Sequence, residues 1–365
     1  MKKSLLALAV LGTLTGVASA QSSVTLFGIV DANARFVKNE DQRRRLSLST
    51  DGINSSRLGF RGIEDLGGGL RAGFWLEAGV NPDVGTTNAK FFNRRSTVSL
   101  ISGAGELRLG RDYTPTFWNQ TIFDAFGTNG LGSSTNVRQA YGGTRQDNTI
   151  GYFLPPNIGG FYGQAMVGAS ETSTTSDRPA RYMGARLGFA AGPFDVAAAY
   201  STQRYSGPSI IAGVGTGTTN IGGFPVAVVA GERQRTWNVG GSFNFGFMKL
   251  MAYYDQESFS ILDGSERMIS VSASIPMGQS EFRVGYDRSK GELNNTSNTV
   301  DQMKATYQYN LSKRTAMYGT VSRLNNKNSF SRISLPGGTG LTTGAGLTSF
   351  GGDSKGLELG VRHIF

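Results

Sequence analysis

The chain has 365 residues, of which 38% are apolar and 17% charged. It carries a formal charge of +10 and has no cysteine, so disulfides, thiolate metal sites and thiol catalysis are excluded. The 22 Phe and 13 Tyr argue against a disordered chain despite 52 Gly, because disordered segments are poor in aromatics.

Lys2 and Lys3, the apolar run from Leu5 to Leu14 and the small residues Val17-Ala18-Ser19-Ala20 read as a secretory signal. Cleavage after residue 20 of 365 leaves a domain over 21–365, a length ordinary for one large barrel. Beyond the signal no apolar run reaches the roughly 18 residues that a transmembrane helix needs. Lys2 and Lys3 account for two of the ten net positive charges, so the exported domain stays basic. It suits anionic lipid, anionic solutes or nucleic acid.

From Val24 onward, segments of about 10 residues alternate apolar and polar side chains, the period of a strand with two different faces. Tight turns are expected at 65–68, 102–105, 155–160, 191–193, 246, 276–279 and 311–312. Long loops are expected at 37–52, 81–92, 112–144, 171–180, 203–233, 257–266, 289–300 and 325–354. Seven short and eight long connections join 16 strands, the layout of a transmembrane antiparallel β-barrel with apolar residues facing lipid and polar residues facing a lumen. Aromatics gather near strand ends: Phe161, Tyr162, Phe243, Phe245, Phe247, Tyr253, Tyr254, Tyr307 and Tyr309. A headgroup-level girdle would place them so, and plain sheet propensity would as well. The last strand ends on Leu357, Leu359, Val361 and Phe365 along one face, with Glu358 and Arg362 on the other.

An arginine facing lipid at the bilayer midplane costs roughly 2–4 kcal/mol, which sets the facing of each strand. Leu58 and Phe60 outward leave Arg57 and Arg61 in the lumen. Leu70, Phe74 and Leu76 outward leave Arg71, Trp75 and Glu77 inside. Leu107 and Leu109 leave Arg108 inside, and Val24, Leu26 and Val30 leave Asp31 and Arg35 inside. For each arginine the competing role is a structural ion pair with a wall carboxylate such as Glu64, Glu77 or Glu106.

The sequence resembles the general-diffusion porins of Gram-negative outer membranes, in their betaproteobacterial branch. The resemblance is carried by Ser23-Val24-Thr25-Leu26-Phe27-Gly28-Ile29-Val30-Asp31 and by Ser56-Arg57-Leu58-Gly59-Phe60-Arg61-Gly62, which continues through Glu64-Asp65 to Leu70. It extends through Phe92-Asn93-Arg94-Arg95, Leu109-Gly110-Arg111-Asp112-Tyr113-Thr114-Pro115, Arg145-Gln146-Asp147-Asn148-Thr149-Ile150 and Gly360-Val361-Arg362-His363-Ile364-Phe365. It implies a homotrimer in the cell outer membrane, passive passage of small hydrophilic solutes, and a third loop, about 113–144 here, folded into the barrel as a constriction. It implies that Arg94 and Arg145, with Arg57 and Arg61, form a basic wall across from that loop. It also implies that Phe365 is read by the barrel assembly machinery. Where enterobacterial porins carry a further lysine on the first strand, this chain has Ile29. Within 112–144 the carboxylates are Asp112 and Asp124, with Arg138 among them. The arginines and the sparse acids point to anion preference; a channel selective for one anionic solute remains open.

A nucleic-acid role is not expected. Arg43-Arg44-Arg45 lacks stacking aromatics, and either lipopolysaccharide phosphates or plain solvation accounts for it. Enzymatic chemistry is not expected either: the one histidine, His363, faces outward at the chain end, and no G-x-S-x-G or S-x-x-K motif is present. Gly213-Val214-Gly215-Thr216-Gly217 has no strand–helix context for phosphate. No cofactor is implied, and Asp263, Glu266 and Glu292 lack the spacing of a calcium loop.

Overall fold

The computed structural model describes residues 23–40, 43–138, 143–156, 158–169, 181–205, 219–221, 224–226, 231–260, 263–293, 296–327, 334–335 and 351–365. The signal segment and most of the glycine-rich stretches at 213–223 and 337–352 lie outside these residues.

Among the described residues sixteen antiparallel strands close into a barrel. In chain order they are β1 (Ser23–Asn39), β2 (Arg57–Gly67), β3 (Leu70–Asn81), β4 (Arg95–Ser102), β5 (Gly105–Tyr113), β6 (Arg145–Phe153), β7 (Phe161–Gly168) and β8 (Arg181–Ala191). The second half comprises β9 (Phe194–Arg204), β10 (Arg233–Asn244), β11 (Lys249–Phe259), β12 (Ser265–Met277), β13 (Ser280–Leu293), β14 (Thr296–Asn310), β15 (Thr315–Asn326) and β16 (Asp353–Ile364). Closure comes from β16 on β1, in register from Ile29↔Ile364 to Asn39↔Ser354. Gly28 and Phe365 then exchange backbone hydrogen bonds of 3.0 and 3.1 Å. A barrel has no open edge to aggregate.

Exposure alternates along the strands. On β16 Leu359 and Val361 are exposed while Glu358 between Leu357 and Leu359 is fully buried. The apolar face meets the membrane and the polar face lines the interior. No described helix is long and apolar enough to cross a membrane.

Two expected loops are largely strand. Arg45–Thr50 pairs back onto β1 from Val37↔Arg45 to Ala32↔Thr50, so the 37–52 loop shrinks to a hairpin tip. Leu46 and Leu48 alternate there with Ser47 and Ser49, a period-two signal masked by polar composition. Between β13 and β14 only 294–295 separate the strands, not 289–300, and the outward Lys290–Glu292 pair at 2.6 Å marks a hairpin rising above the apolar band. Of the aromatics read as a girdle, Tyr162 and Tyr253 turn inward instead. Tyr253 is buried and Tyr162 donates to the Asp195 carboxylate. At the short-turn end Phe194 and Phe245 flank Phe243 at ring separations of 4.6 and 4.5 Å as part of a belt, whereas Tyr254 sits mid-strand against Trp237.

The ladder of β1 changes partner midway. Ser23–Ile29 pairs with β2, Ala32–Val37 with Arg45–Thr50, and residues 51–56 leave the sheet between them. Their backbone N–H groups find the buried Asp31 carboxylate, which accepts from Gly52, Ile53 and Asn54 at 3.2, 2.9 and 2.8 Å and from the Tyr318 hydroxyl at 2.5 Å. A carboxylate thus replaces the missing strand, because buried N–H groups must be satisfied. At the opposite end Gly67, Gly68 and Gly69, all at positive φ, make the β2–β3 turn that side chains would strain.

After β5 the chain turns inward. Thr114 caps helix α1 (Pro115–Ile122), with Pro at its first turn, and the loop presses on the inner wall of β8–β16. Phe123 and Leu131 are fully buried and join Val137, Tyr253, Met268, Val300 and Leu324 in a core inside the barrel. Three wall glycines admit the loop. A Cβ on Gly240 would lie 2.4 Å from the Phe123 ring, one on Gly285 3.0 Å from Phe126, and one on Gly356 2.7 Å from Leu131.

Candidate pore constriction

Each sequence-selected residue has a definite position. Arg57 at the start of β2, Arg94 just before β4 and Arg145 at the start of β6 converge on Glu77 and Tyr113. Arg94 Nε lies 2.5 Å from Glu77 Oε1 and Arg57 Nη1 3.4 Å from it. Trp75 Nε1 donates to the other Glu77 oxygen at 2.9 Å. Arg94 and Arg145 each donate to the Tyr113 hydroxyl, at 2.8 and 2.6 Å. The Arg145 guanidinium also lies 4.2 Å from the Tyr113 ring centroid, and that ring stacks on Phe117 of α1. Three cations therefore share one carboxylate and one phenol, which leaves net positive charge facing the interior.

That charge borders a cavity of about 460 Å³ between the β2–β6 wall and the inward loop. The charged residues lining it are Arg57, Arg94, Arg138 and Arg145, beside neutral Ser55, Thr121, Thr128 and Asn129. On the short-turn side lies a second cavity of about 380 Å³ with Arg61, Arg95 and Arg108 on its wall, and Glu106. Aromatic faces hold these cations. Arg61 and Arg95 lie 5.1 and 4.6 Å from the Trp75 ring centroid, and Arg108 3.8 Å from that of Phe153. Stacking orders a guanidinium without using its edge N–H groups, which Arg108 spends on Glu106 and Asp112 and Arg95 in part on Thr97.

Other selected residues hold structure together. Arg35 is buried against Glu358 at 2.9 Å, and Asp31 is the anchor of 51–56 described above. Arg108 pairs with Glu106 at 2.8 Å and Asp112 at 2.5 Å. Arg71 is exposed on β3 beside the tight turn, level with Asp65, away from the converging group. Asp124 accepts from Phe126, Thr128 and Ser134 N–H at 3.0, 3.3 and 3.3 Å and lies 3.6 Å from the buried Lys304 of β14, which also meets Asp287 at 2.8 Å. Arg138 inserts between Asp255 and Glu257 of β11 and donates to Gln120 Oε1 at 2.9 Å. Burial opposes its charge, but Asp255 and Glu257 outweigh that and raise its pKa. Loop and wall are thus joined by two buried charge networks.

Residues that single-strand alternation misses include Arg95, Tyr113, Asp255, Glu257 and Lys304. Arg95 is informative: neighbours on one strand face opposite ways, yet Arg94 precedes β4 while Arg95 begins it, so both reach the interior. Tyr113 stood within a family motif, and its contact with both arginines depends on the chain turn at Thr114. Among the described residues no group of three or more His, Asp or Glu is placed to hold a metal, and His363 meets Thr315 on the outer face at 2.9 Å.

Comparison with known proteins follows the same line. Residues 7–329 match the family described as Gram-negative porin. The chain is 38% identical to outer membrane porin protein 32 of Delftia acidovorans over the whole of both chains. Its structure superposes on an anion-selective porin from Comamonas acidovorans with a TM-score of 0.77 and 33% identity, covering 94% of this chain and 100% of that one. An outer membrane protein of Vibrio cholerae, OmpT, in a trimer form, shares the fold at 14% identity with a TM-score of 0.66, covering 94% of this chain and 99% of that one. A closed 16-stranded barrel of lipid-facing exterior and charged interior, with these relatives over its full length, belongs to the Gram-negative outer-membrane porins.

Proposed function

We propose that this porin passes small hydrophilic solutes by passive diffusion with a preference for anions. The observation that carries the reading is that the charged residues lining the constriction cavity are all arginines, of which Arg57, Arg94 and Arg145 have the one carboxylate Glu77 among them, while Arg138 is neutralised by Asp255 and Glu257. At an effective dielectric near 20, one charge pair at 4 Å is worth about 4 kcal/mol, and screening acts over about 8 Å at physiological salt. Several arginines within that range bias which ions enter, while the exposed guanidinium of Arg61 and the half-buried one of Arg95, both held by Trp75, extend the positive field toward the short-turn mouth. In this reading 113–144 forms the constriction, Arg57, Arg61, Arg94 and Arg145 supply its field, and residues 1–20 are a leader removed after Ala20.

Further parts of the proposal concern partners. The relative described in a trimer form supports a homotrimer. Phe365, seated over Gly28 where a Cβ would lie 2.2 Å from its ring, is the residue the barrel assembly machinery reads. Outer-membrane lipid and lipopolysaccharide surround the barrel.

Planar-bilayer recording tests this. The wild type in a salt gradient gives an anion-favouring reversal potential, and conductance arrives in steps of three. Arg94→Ala combined with Arg145→Ala moves the reversal potential toward zero. A cation-selective wild type overturns the proposal.

A further inference from the structure

The outer face of β8–β10 carries cations that the pore does not use. Register places Arg181 of β8 directly opposite Arg204 of β9, and Arg204 directly opposite Arg233 of β10. All three share the face of the lipid-exposed Met183, Val196, Tyr200, Trp237 and Val239, as alternation along each strand requires. Arg235, next on that face, adds a fourth charge. None of the four makes an ion pair among the described residues. Like charges directly opposite in a sheet repel, so three in a row are unfavourable unless an anion lies across them.

What lies below the row identifies that anion. Descending from it on the same face, the cross-strand rows are Met183, Thr202 and Arg235, then Ala185, Tyr200 and Trp237, then Leu187, Ala198 and Val239. Cations give way to amphipathic rings and then to aliphatic side chains. From Arg233 to Trp237 is about 13 Å along the strand at roughly 3.3 Å per residue. Trp and Tyr mark the membrane–water boundary, so the arginines stand at headgroup height, at the loop end of the barrel. A second cationic row, Lys38–Lys355–Arg323 on β1, β16 and β15, differs because Asp353 already answers Arg323 at 2.5 Å.

We propose that Arg181, Arg204, Arg233 and Arg235 form a lateral binding site for the phosphates of a phosphorylated outer-leaflet glycolipid, whose acyl chains lie along Tyr200, Trp237 and Val239. A soluble phosphate has no use for the aromatic and aliphatic rows, and a neutral lipid leaves the arginines unanswered.

The test uses the refolded mature chain and native mass spectrometry, with bisphosphorylated lipid A and its dephosphorylated form as probes. Wild type retains the bisphosphorylated lipid. Arg204→Gln with Arg233→Gln binds it about thirty-fold more weakly, as expected for two headgroup-level cations, with conductance and ion selectivity unchanged because the row faces away from the lumen. Dephosphorylated lipid A binds wild type as weakly, and that comparison stands without any substitution should the variant fail to assemble. Equal binding of the two lipids, wild-type affinity in the variant, or displacement of the glycolipid by inorganic phosphate alone at millimolar concentration overturns the assignment. Altered selectivity of the pore variants bears on the anion proposal only and leaves this one standing.

Discussion

Arg138 is the residue through which the inward loop meets the wall of β11. Its guanidinium is nearly inaccessible and lies between Asp255 and Glu257, with Glu257 Oε1 2.5 Å away, and Gln120 of α1 accepts a further bond at 2.9 Å. Arg138→Met keeps the volume and removes the charge, leaving two buried carboxylates facing each other. Stripping one partner from a buried ion network costs about 3–5 kcal/mol. That loss is to appear as a lower denaturant midpoint of the refolded protein. Because the strand ladder is untouched, the barrel still forms, and the loop end loosens instead. Single-channel traces are then expected to show higher open-state noise. Adding Asp255→Asn and Glu257→Gln to Arg138→Met removes the orphaned charges and recovers most of the midpoint, since neutralising a whole buried network is far less costly than halving it. A single variant with quiet wild-type traces and a stability loss under about 1 kcal/mol refutes the view that Arg138 fixes the loop.

Asp31→Ala leaves the N–H groups of Gly52, Ile53 and Asn54 without their acceptor; at about 1–3 kcal/mol for a buried unsatisfied group, the unfolding midpoint falls more than in Asp31→Asn, which keeps one acceptor oxygen. Equal midpoints for the two variants dismiss the anchor. Gly28→Leu places side-chain atoms where the Phe365 ring sits, so the folded fraction in a gel-shift refolding assay drops, and normal refolding speaks against a tight β1–β16 seam. Gly240→Val displaces Phe123 and is expected to change single-channel conductance without altering strand content by circular dichroism.

Barrel, strand number and facing were legible because lipid imposes a rule that acts residue by residue. Every second side chain must be apolar, and a charge on the wrong face costs several kcal/mol, so Leu58–Phe60 against Arg57–Arg61 can be assigned without any partner strand. The same local rule placed Arg35 inside but said nothing of its company, whereas the Glu106 that pairs with Arg108 lies two residues away on the same strand and was in view as a candidate partner. Glu358 is 323 residues from Arg35, and whether an inward arginine meets a solute or a carboxylate depends on the neighbouring strand. The strand at Arg45–Thr50 and the outer ends of β13 and β14 were read as loop because beyond the membrane band no lipid enforces the pattern.

Composition and alternation by themselves thus determined an exported, disulfide-free barrel with an arginine-bearing interior. Only the folded chain decided what company the arginines keep, through the β1 partner switch that Asp31 stabilises, the convergence of Arg57 and Arg94 on Glu77 and of Arg94 and Arg145 on Tyr113, and the seating of Phe123, Phe126 and Leu131 on Gly240, Gly285 and Gly356. The physical reason is range: the preference of one side chain for lipid or water is a property of that residue, whereas charge compensation and close packing are properties of pairs that the register of a closed sheet brings together.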